Sequence, residues 1–177
     1  RRHRAGDILR RRDNLPEPTQ AQLVGVIRQT PPGRWESYQF KDKTLIIDGA
    51  HNPQKLQALR DSLTAAGIHS VAVLANLTAA PMPKIEAALM VLGPITTHLI
   101  IPEFQAGQDI KSRRSLSATQ LSVCAQNQGF SSIELQPDIT KALQTLLQRP
   151  EKTLLITGSL YLVSILRPLV LKLAEKH

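Results

Sequence analysis

The sequence predicts an α/β domain: a mostly parallel sheet flanked by helices on both faces. Three observations carry that expectation. Along residues 44–172, short apolar runs of strand length alternate with segments of helical periodicity, the pattern of repeated β-α units. The runs are nearly continuous in Leu, Ile, Val and Ala, as in strands buried on both faces. At two of them, Asp48-Gly49-Ala50-His51-Asn52-Pro53 and Thr157-Gly158-Ser159, the apolar run hands over to a helical pattern through small and polar residues.

Each element can be placed in order. Residues 1–30 are charged, then punctuated by Pro16 and Pro18, then weakly helical around residues 20–28. Pro31-Pro32-Gly33 marks a boundary, because two prolines and a glycine disrupt either regular structure. Runs at 34–40 and 44–48 flank the polar turn Lys41-Asp42-Lys43 and predict a hairpin. A helix is expected over 53–66, with Leu56, Leu59, Leu63 and Ala66 on one face. Strand 70–75, helix 83–92 and strand 95–101 follow, the last closing at Pro102. The polar stretch 103–114 is assigned no element. Helix 117–128 takes Ser115 or Ser117 as its cap, strand 132–135 comes next, and helix 138–147 takes Asp138 as N-cap. Strand 153–157 leads into helix 159–172, in which Pro168 predicts a kink or break. Right-handed crossovers then place the loops after Asp48, Ala75, Ile101 and Thr157 along one edge, where open α/β sheets bind ligands.

Composition narrows the function classes. With 177 residues, 42% of them hydrophobic and only 3% aromatic, the chain has the size of one well-buried domain with an aliphatic core. A single cysteine, Cys124, excludes an internal disulfide framework and reads as a buried thiol. The net charge of +8 is mostly amino-terminal, since residues 1–34 hold eight arginines against three acids. No aromatic residue precedes Trp35, so the basic segment lacks the aromatic interleaving of a nucleic-acid surface. A solvated segment is the expectation, with no nucleic-acid partner. No apolar run approaches the ~18 residues of a membrane span. We therefore expect a soluble, cytoplasmic monomer with no membrane partner.

Two glycine-rich phosphate motifs are missing. No G-x-G-x-x-G follows a strand, and no G-x-x-x-x-G-K-[ST] exists, so another domain must hold most of the phosphates of any nucleotide. Asn52-Pro53 reads as an N-cap followed by a proline at the first helical position. Capping does not account for Asp48 and His51 beside it, a carboxylate and an imidazole at a strand's carboxyl end. Gly158-Ser159 repeats the handover; it is either an ordinary cap or half of an anion site at a helix N-terminus. Arg34 follows the Pro-Gly boundary and is free to face solvent or a neighbouring domain. His69 and His98 read as structural. No metal-ligand spacing is present.

Three stretches then match a known family. Pro32-Gly33-Arg34-Trp35-Glu36, Ile47-Asp48-Gly49-Ala50-His51-Asn52-Pro53 and Thr157-Gly158-Ser159-Leu160-Tyr161-Leu162-Val163 resemble folylpolyglutamate synthase and dihydrofolate synthase, of the Mur ligase superfamily. Arg114-Ser115-Leu116-Ser117 is similar to the family's Arg-Ala-Leu-Ser. The resemblance implies a Rossmann-like C-terminal ligase domain over residues 34–177, with residues 1–33 the tail of a preceding ATPase domain and linker. It implies a ligase that adds L-glutamate to folate or dihydropteroate through an acyl phosphate, using ATP and Mg2+ held mainly by the chain's own N-terminal domain. The isolated chain would be inactive. By the same resemblance Asp48 and His51 are catalytic; Arg34, Asp48 and His51 face the nucleotide; His51, Asn52 and Ser159 face the glutamate; no metal ligand falls here. The chain departs from the family after the second strand. Where an Asp-Lys-Asp-like segment is usual, it has Ala75-Asn76-Leu77-Thr78, with Lys84 as a distant substitute. A non-catalytic anion-binding module and a cell-wall-type amino-acid ligase domain are the alternative readings.

Overall fold

The computed structural model describes residues 32–106 and 113–175, which belong to one compact unit. The expected amino-terminal tail, apart from Pro32 and Gly33, lies outside the described residues, as do His3 and His177. An antiparallel hairpin opens the domain: β1 (Glu36–Phe40) and β2 (Lys43–Ile47), joined through Lys41 at φ 56°. The chain continues through α1 (Pro53–Ala65), β3 (Val71–Ala75), α2 (Met82–Leu92) and β4 (Thr96–Ile101). A two-strand ladder, β5 (Gln105–Ala106) with β6 (Arg113–Arg114), precedes α3 (Ala118–Asn127). Then come β7 (Ile133–Leu135), α4 (Ile139–Gln148), β8 (Thr153–Thr157) and α5 (Leu160–Ala174).

The six-stranded sheet runs β1-β2-β8-β3-β4-β7. Every pairing is parallel except the β1–β2 edge. Alternate residues of each strand feed two cores. Ile46, Val73, Leu99 and Leu155 pack with α1, α2 and α3 on one face. Leu45, Ile47, Leu74, Ile100, Leu154 and Ile156 pack with α4 and α5 on the other. This is the predicted architecture, with a core that is mostly aliphatic and takes in Phe40, Phe104 and Phe130. Because β2 exits toward α1 and the adjacent β8 exits toward α5, the chain leaves neighbouring strand ends for opposite faces. That divergence opens the crevice in which α/β proteins hold ligands.

The helix starts follow their caps. Asn52 Oδ1 accepts the Lys55 N–H at 2.9 Å, with Pro53 at the start of α1. Ser117, not Ser115, caps α3 in a reciprocal box with Gln120. Asp138 accepts the Thr140 and Lys141 N–H groups, each at 2.9 Å. Three expectations need correction. Ala66 is the exposed C-cap of α1 rather than part of its apolar face. The polar stretch after Pro102 contains β5 and β6, whose two-residue strands are too short to leave a periodic signal. And Pro168 does not break α5, which continues to Ala174. Pro168 is exposed, so the carbonyl it leaves unpaired, that of Ser164, is on the solvent side, while Leu162, Val163, Leu166 and Val170 stay buried.

Candidate functional site

A parallel strand ends with free backbone groups, and what satisfies them decides the shape of the edge. At the end of β2 the Asp48 carboxylate does much of this. Its Oδ1 accepts the Ala50 N–H at 2.8 Å and its Oδ2 accepts the Trp35 N–H at 3.0 Å. The Arg34 guanidinium lies 3.8 Å from Oδ1 and makes no hydrogen bond among the described residues. Asp48 thus ties two turns together, the one at 32–35 and its own. The tie continues through the backbone, where Gly49 N–H donates to Gly33 O at 2.8 Å. Trp35 sits at φ 43°, a left-handed backbone that a bulky residue adopts only when its surroundings hold it there.

His51 is exposed, and its Nδ1 lies 2.8 Å from Gly49 O. A carbonyl only accepts, so Nδ1 is the donor there and Nε2 is left for a partner beyond the turn. The Lys55 ammonium reaches that Nε2 at 3.4 Å from one turn into α1. Arg34, Trp35, Asp48, Lys55, Leu59 and Ser62 line an open cavity of about 420 Å³. Two cations therefore border one hollow, and its single carboxylate is already engaged by backbone N–H groups. Lys55 was not legible as a site residue. The signal that could have revealed it is its spacing of four from His51 on a helix that starts between them.

Ser159 stands differently. It is 1% exposed, its Oγ accepts the Tyr161 N–H at 3.2 Å and lies 3.4 Å from Thr78 Oγ1 of the β3 loop. Gly158 N–H and Thr157 Oγ1 both donate to Ala50 O, at 2.8 and 3.3 Å. The β2 and β8 loops are thereby stitched together at Ala50. Of the sequence-predicted residues, Arg34 and Asp48 line the open cavity beside Lys55, whereas His51, Asn52 and Ser159 are not among its lining residues. In the departing segment, Asn76 is fully buried. Its amide donates to Pro102 O at 2.6 Å and Leu116 O at 2.9 Å, and its Oδ1 accepts the Leu77 N–H at 2.7 Å. It binds the β3, β4 and 114–117 segments to one another. Lys84 is exposed in the first turn of α2.

Behind the 32–35 turn lies a second charged group. Glu36 accepts the Gly33 N–H and the Tyr38 hydroxyl, and Arg167 Nε from α5 at 2.8 and 2.9 Å. Burial works against the Glu36 charge, yet Arg167, the Gly33 N–H and Tyr38 together hold its carboxyl below the ordinary 4.5. Burial first, and then the Glu36 carboxylate, push Tyr38 up to about 12. Elsewhere, Cys124 is buried as expected, its thiol pushed up by burial and by Glu86. His98 is buried with Nδ1 2.6 Å from Ser132 Oγ, whereas His69 is exposed.

The family model described as dihydrofolate synthetase, C-terminal domain, matches residues 34–169. The chain belongs to this family. The dihydrofolate synthetase C-terminal domain is similar in fold to part of several solved enzymes. The Mycobacterium tuberculosis folylpolyglutamate synthase complexed with ADP and AMPPCP matches at TM-score 0.66 and 21% identity, over 91% of this chain and 37% of that one. A bifunctional folylpolyglutamate synthase/dihydrofolate synthase from Yersinia pestis, complexed with AMPPNP and Mn, matches at 0.65 and 22%, over 88% and 35%. A bifunctional enzyme with Mn, AMPPNP and L-glutamate bound matches at 0.62 and 23%, over 88% and 36%. No curated protein matches the chain. The domain spans little more than a third of these solved relatives. Among its described residues no three His, Cys, Asp or Glu side chains converge to hold a metal ion. Nor is any described helix long and apolar enough to cross a membrane.

Proposed function

We propose that this domain is the carboxyl-terminal wall of an ATP-dependent ligase that joins L-glutamate to folate or dihydropteroate, working with an ATPase domain that carries the P-loop and the Mg2+. The observation that carries the reading is the pairing of Arg34 and Lys55 across one hollow at the β2 edge, beside His51. ATP supplies the phosphoryl group that turns an unreactive carboxylate into an acyl phosphate open to attack by an amine.

The chain's own residues contribute position and charge. Arg34 and Lys55 offer N–H donors to phosphate oxygens, and Arg34 keeps enough freedom from Asp48 to turn toward them. Asp48 acts by holding the 32–35 and 48–52 turns in register, which keeps Arg34 at the hollow and His51 beside Lys55 at its edge. His51, fixed by Gly49 O, presents Nε2 toward the nucleotide and the incoming glutamate. Asn52 supports that loop through its cap. Ser159 contributes at the inner wall, where it sets the start of α5 next to the glutamate. Holding an amine in line with an activated carbonyl accounts for large parts of such barriers. Without a P-loop the domain alone carries no ligase activity.

Calorimetry of this chain with ADP tests the anion site directly. We expect weak binding, since affinity rests on a few contacts, and its loss in Arg34→Ala and Lys55→Ala. Unchanged affinity in both variants overturns the reading. In the enzyme carrying both domains, His51→Ala is expected to slow ligation on the order of a hundredfold, the scale of one lost contact to developing charge. A normal rate there would exclude His51 from the reaction.

A further inference from the structure

The turn that presents Arg34 rests on a ridge of α5. Leu160, Val163 and Arg167 recur at the spacing of one helix face, and each meets a glycine-bearing turn. A Cβ on Gly33 would lie 3.0 Å from Val163 Cγ1, and one on Gly49 would lie 2.2 Å from Leu160 Cδ2. The absence of a side chain lets both turns sit close to the helix, and at Gly33 the φ of 77° favours glycine as well. Arg167 completes the ridge by gripping the Glu36 carboxylate, whose side chain is 12% exposed.

Arg34 and Trp35 therefore lie between two carboxylates that have the same design. Glu36 accepts the N–H of Gly33 just before Arg34, and Asp48 accepts the N–H of Trp35 just after it. Each carboxylate is paired with an arginine, but to different ends. Arg34 beside Asp48 keeps its guanidinium largely unengaged, whereas Arg167 gives its Nε to both oxygens of Glu36. The left-handed backbone at Trp35 needs such a frame at both ends, because strain of this kind persists only where the surroundings over-determine it.

We infer that Glu36 and Arg167 are positioning residues for Arg34: they lock the 32–35 turn onto α5 and so aim the Arg34 guanidinium into the anion site. The role rests on Arg34 meeting phosphate, as proposed above. It also couples that arginine to α5, the helix that begins at Ser159.

Trp35 is the chain's only tryptophan, so its emission and its quenching by acrylamide report on this turn alone. The experiment titrates ADP into the chain and into Arg34→Ala, Arg167→Met, Arg167→Lys and the Arg34→Ala/Arg167→Met double variant, with Trp35 quenching read on each. In Arg167→Met we expect Trp35 to become more accessible and ADP affinity to fall about five- to tenfold, the scale of one misplaced charge-assisted contact. Arg167→Lys should recover part of that loss. The double variant should bind no more weakly than Arg34→Ala, because residues acting through one contact are not additive. Unchanged Trp35 quenching in Arg167→Met overturns the inference, as does a loss that adds fully to that of Arg34→Ala. If Arg34→Ala itself binds ADP normally, the anion-site reading fails, and the positioning role falls with it. Should Arg167→Met not fold, Glu36→Gln answers the same question, since it keeps the side chain's volume and an acceptor for Gly33 while weakening the hold on Arg167.

Discussion

The two strand-to-helix handovers use similar parts for opposite purposes. After β2, Asn52 caps α1 in a half-buried position, and His51 stands exposed with one ring nitrogen turned outward. After β8, Ser159 caps α5 while almost wholly enclosed, and Gly158 adopts φ 96° against the backbone of Asn76. The first turn spends its polar atoms at the surface, and the second spends them on holding three loops together. A cap of the expected residue type therefore says nothing of availability to a ligand; burial of the capping oxygen decides that.

Substitutions should separate the two turns in a graded way. The largest effect is expected from Gly158→Ala. Its Cβ would come within 2.8 Å of Asn76 O, a backbone atom with little room to yield. Together with the positive φ this should cost about 3 kcal/mol in urea unfolding. Ser159→Ala comes next, at about 1–2 kcal/mol for a buried cap. Asn52→Ala should cost about 1 kcal/mol or less for the same kind of bond at a wetter site. His51→Ala should leave stability within about 0.5 kcal/mol, as exposed positions generally do, while slowing the ligation proposed above. The contrast breaks if His51→Ala unfolds as easily as Ser159→Ala.

A smaller effect distinguishes the Arg34 turn by its pH response. The Glu36 carboxyl is held below its ordinary 4.5 in the folded chain. Its contribution is therefore present above that value and is lost as pH falls through the lower folded value. Tyr38 is raised to about 12 from 10.0. Its contribution is complete below 10 and fades as pH climbs toward 12. Trp35 quenching should report loosening of the turn at both extremes, and Glu36→Gln should remove the acid limb. An acid limb that persists in Glu36→Gln would assign it to another carboxylate.

Much of the domain was legible because its signals are local. Caps at Asn52, Ser117, Asp138 and Ser159 fixed where helices begin, and uninterrupted Leu, Ile and Val runs marked strands buried on two faces. The edge that carries the loops followed from alternation alone, and of the residues in the matched stretches Arg34 and Asp48 line the hollow there. What stayed hidden depends on partners far away in sequence. Arg167 and Glu36 are separated by 131 positions, and nothing near either residue announces the other. The left-handed backbone of Trp35 is imposed by Asp48 and Glu36, against the preference of a bulky side chain. Pro168 does not end α5, because the rule for proline concerns the hydrogen bond it removes, and on an exposed face water can replace that bond.

The position of β8 has a consequence for how the molecule is made. This strand, at residues 153–157 of 177, lies between β2 and β3 and pairs with both. Until it inserts, β2 has no parallel partner, and Ala50 O lacks the Gly158 and Thr157 donors that anchor its loop. The β1–β2 and β3–β4–β7 pairings do not involve β8, but joining them through it is a non-local closure of the kind that slows folding. The edge at Ala50 is complete only with β8 in place.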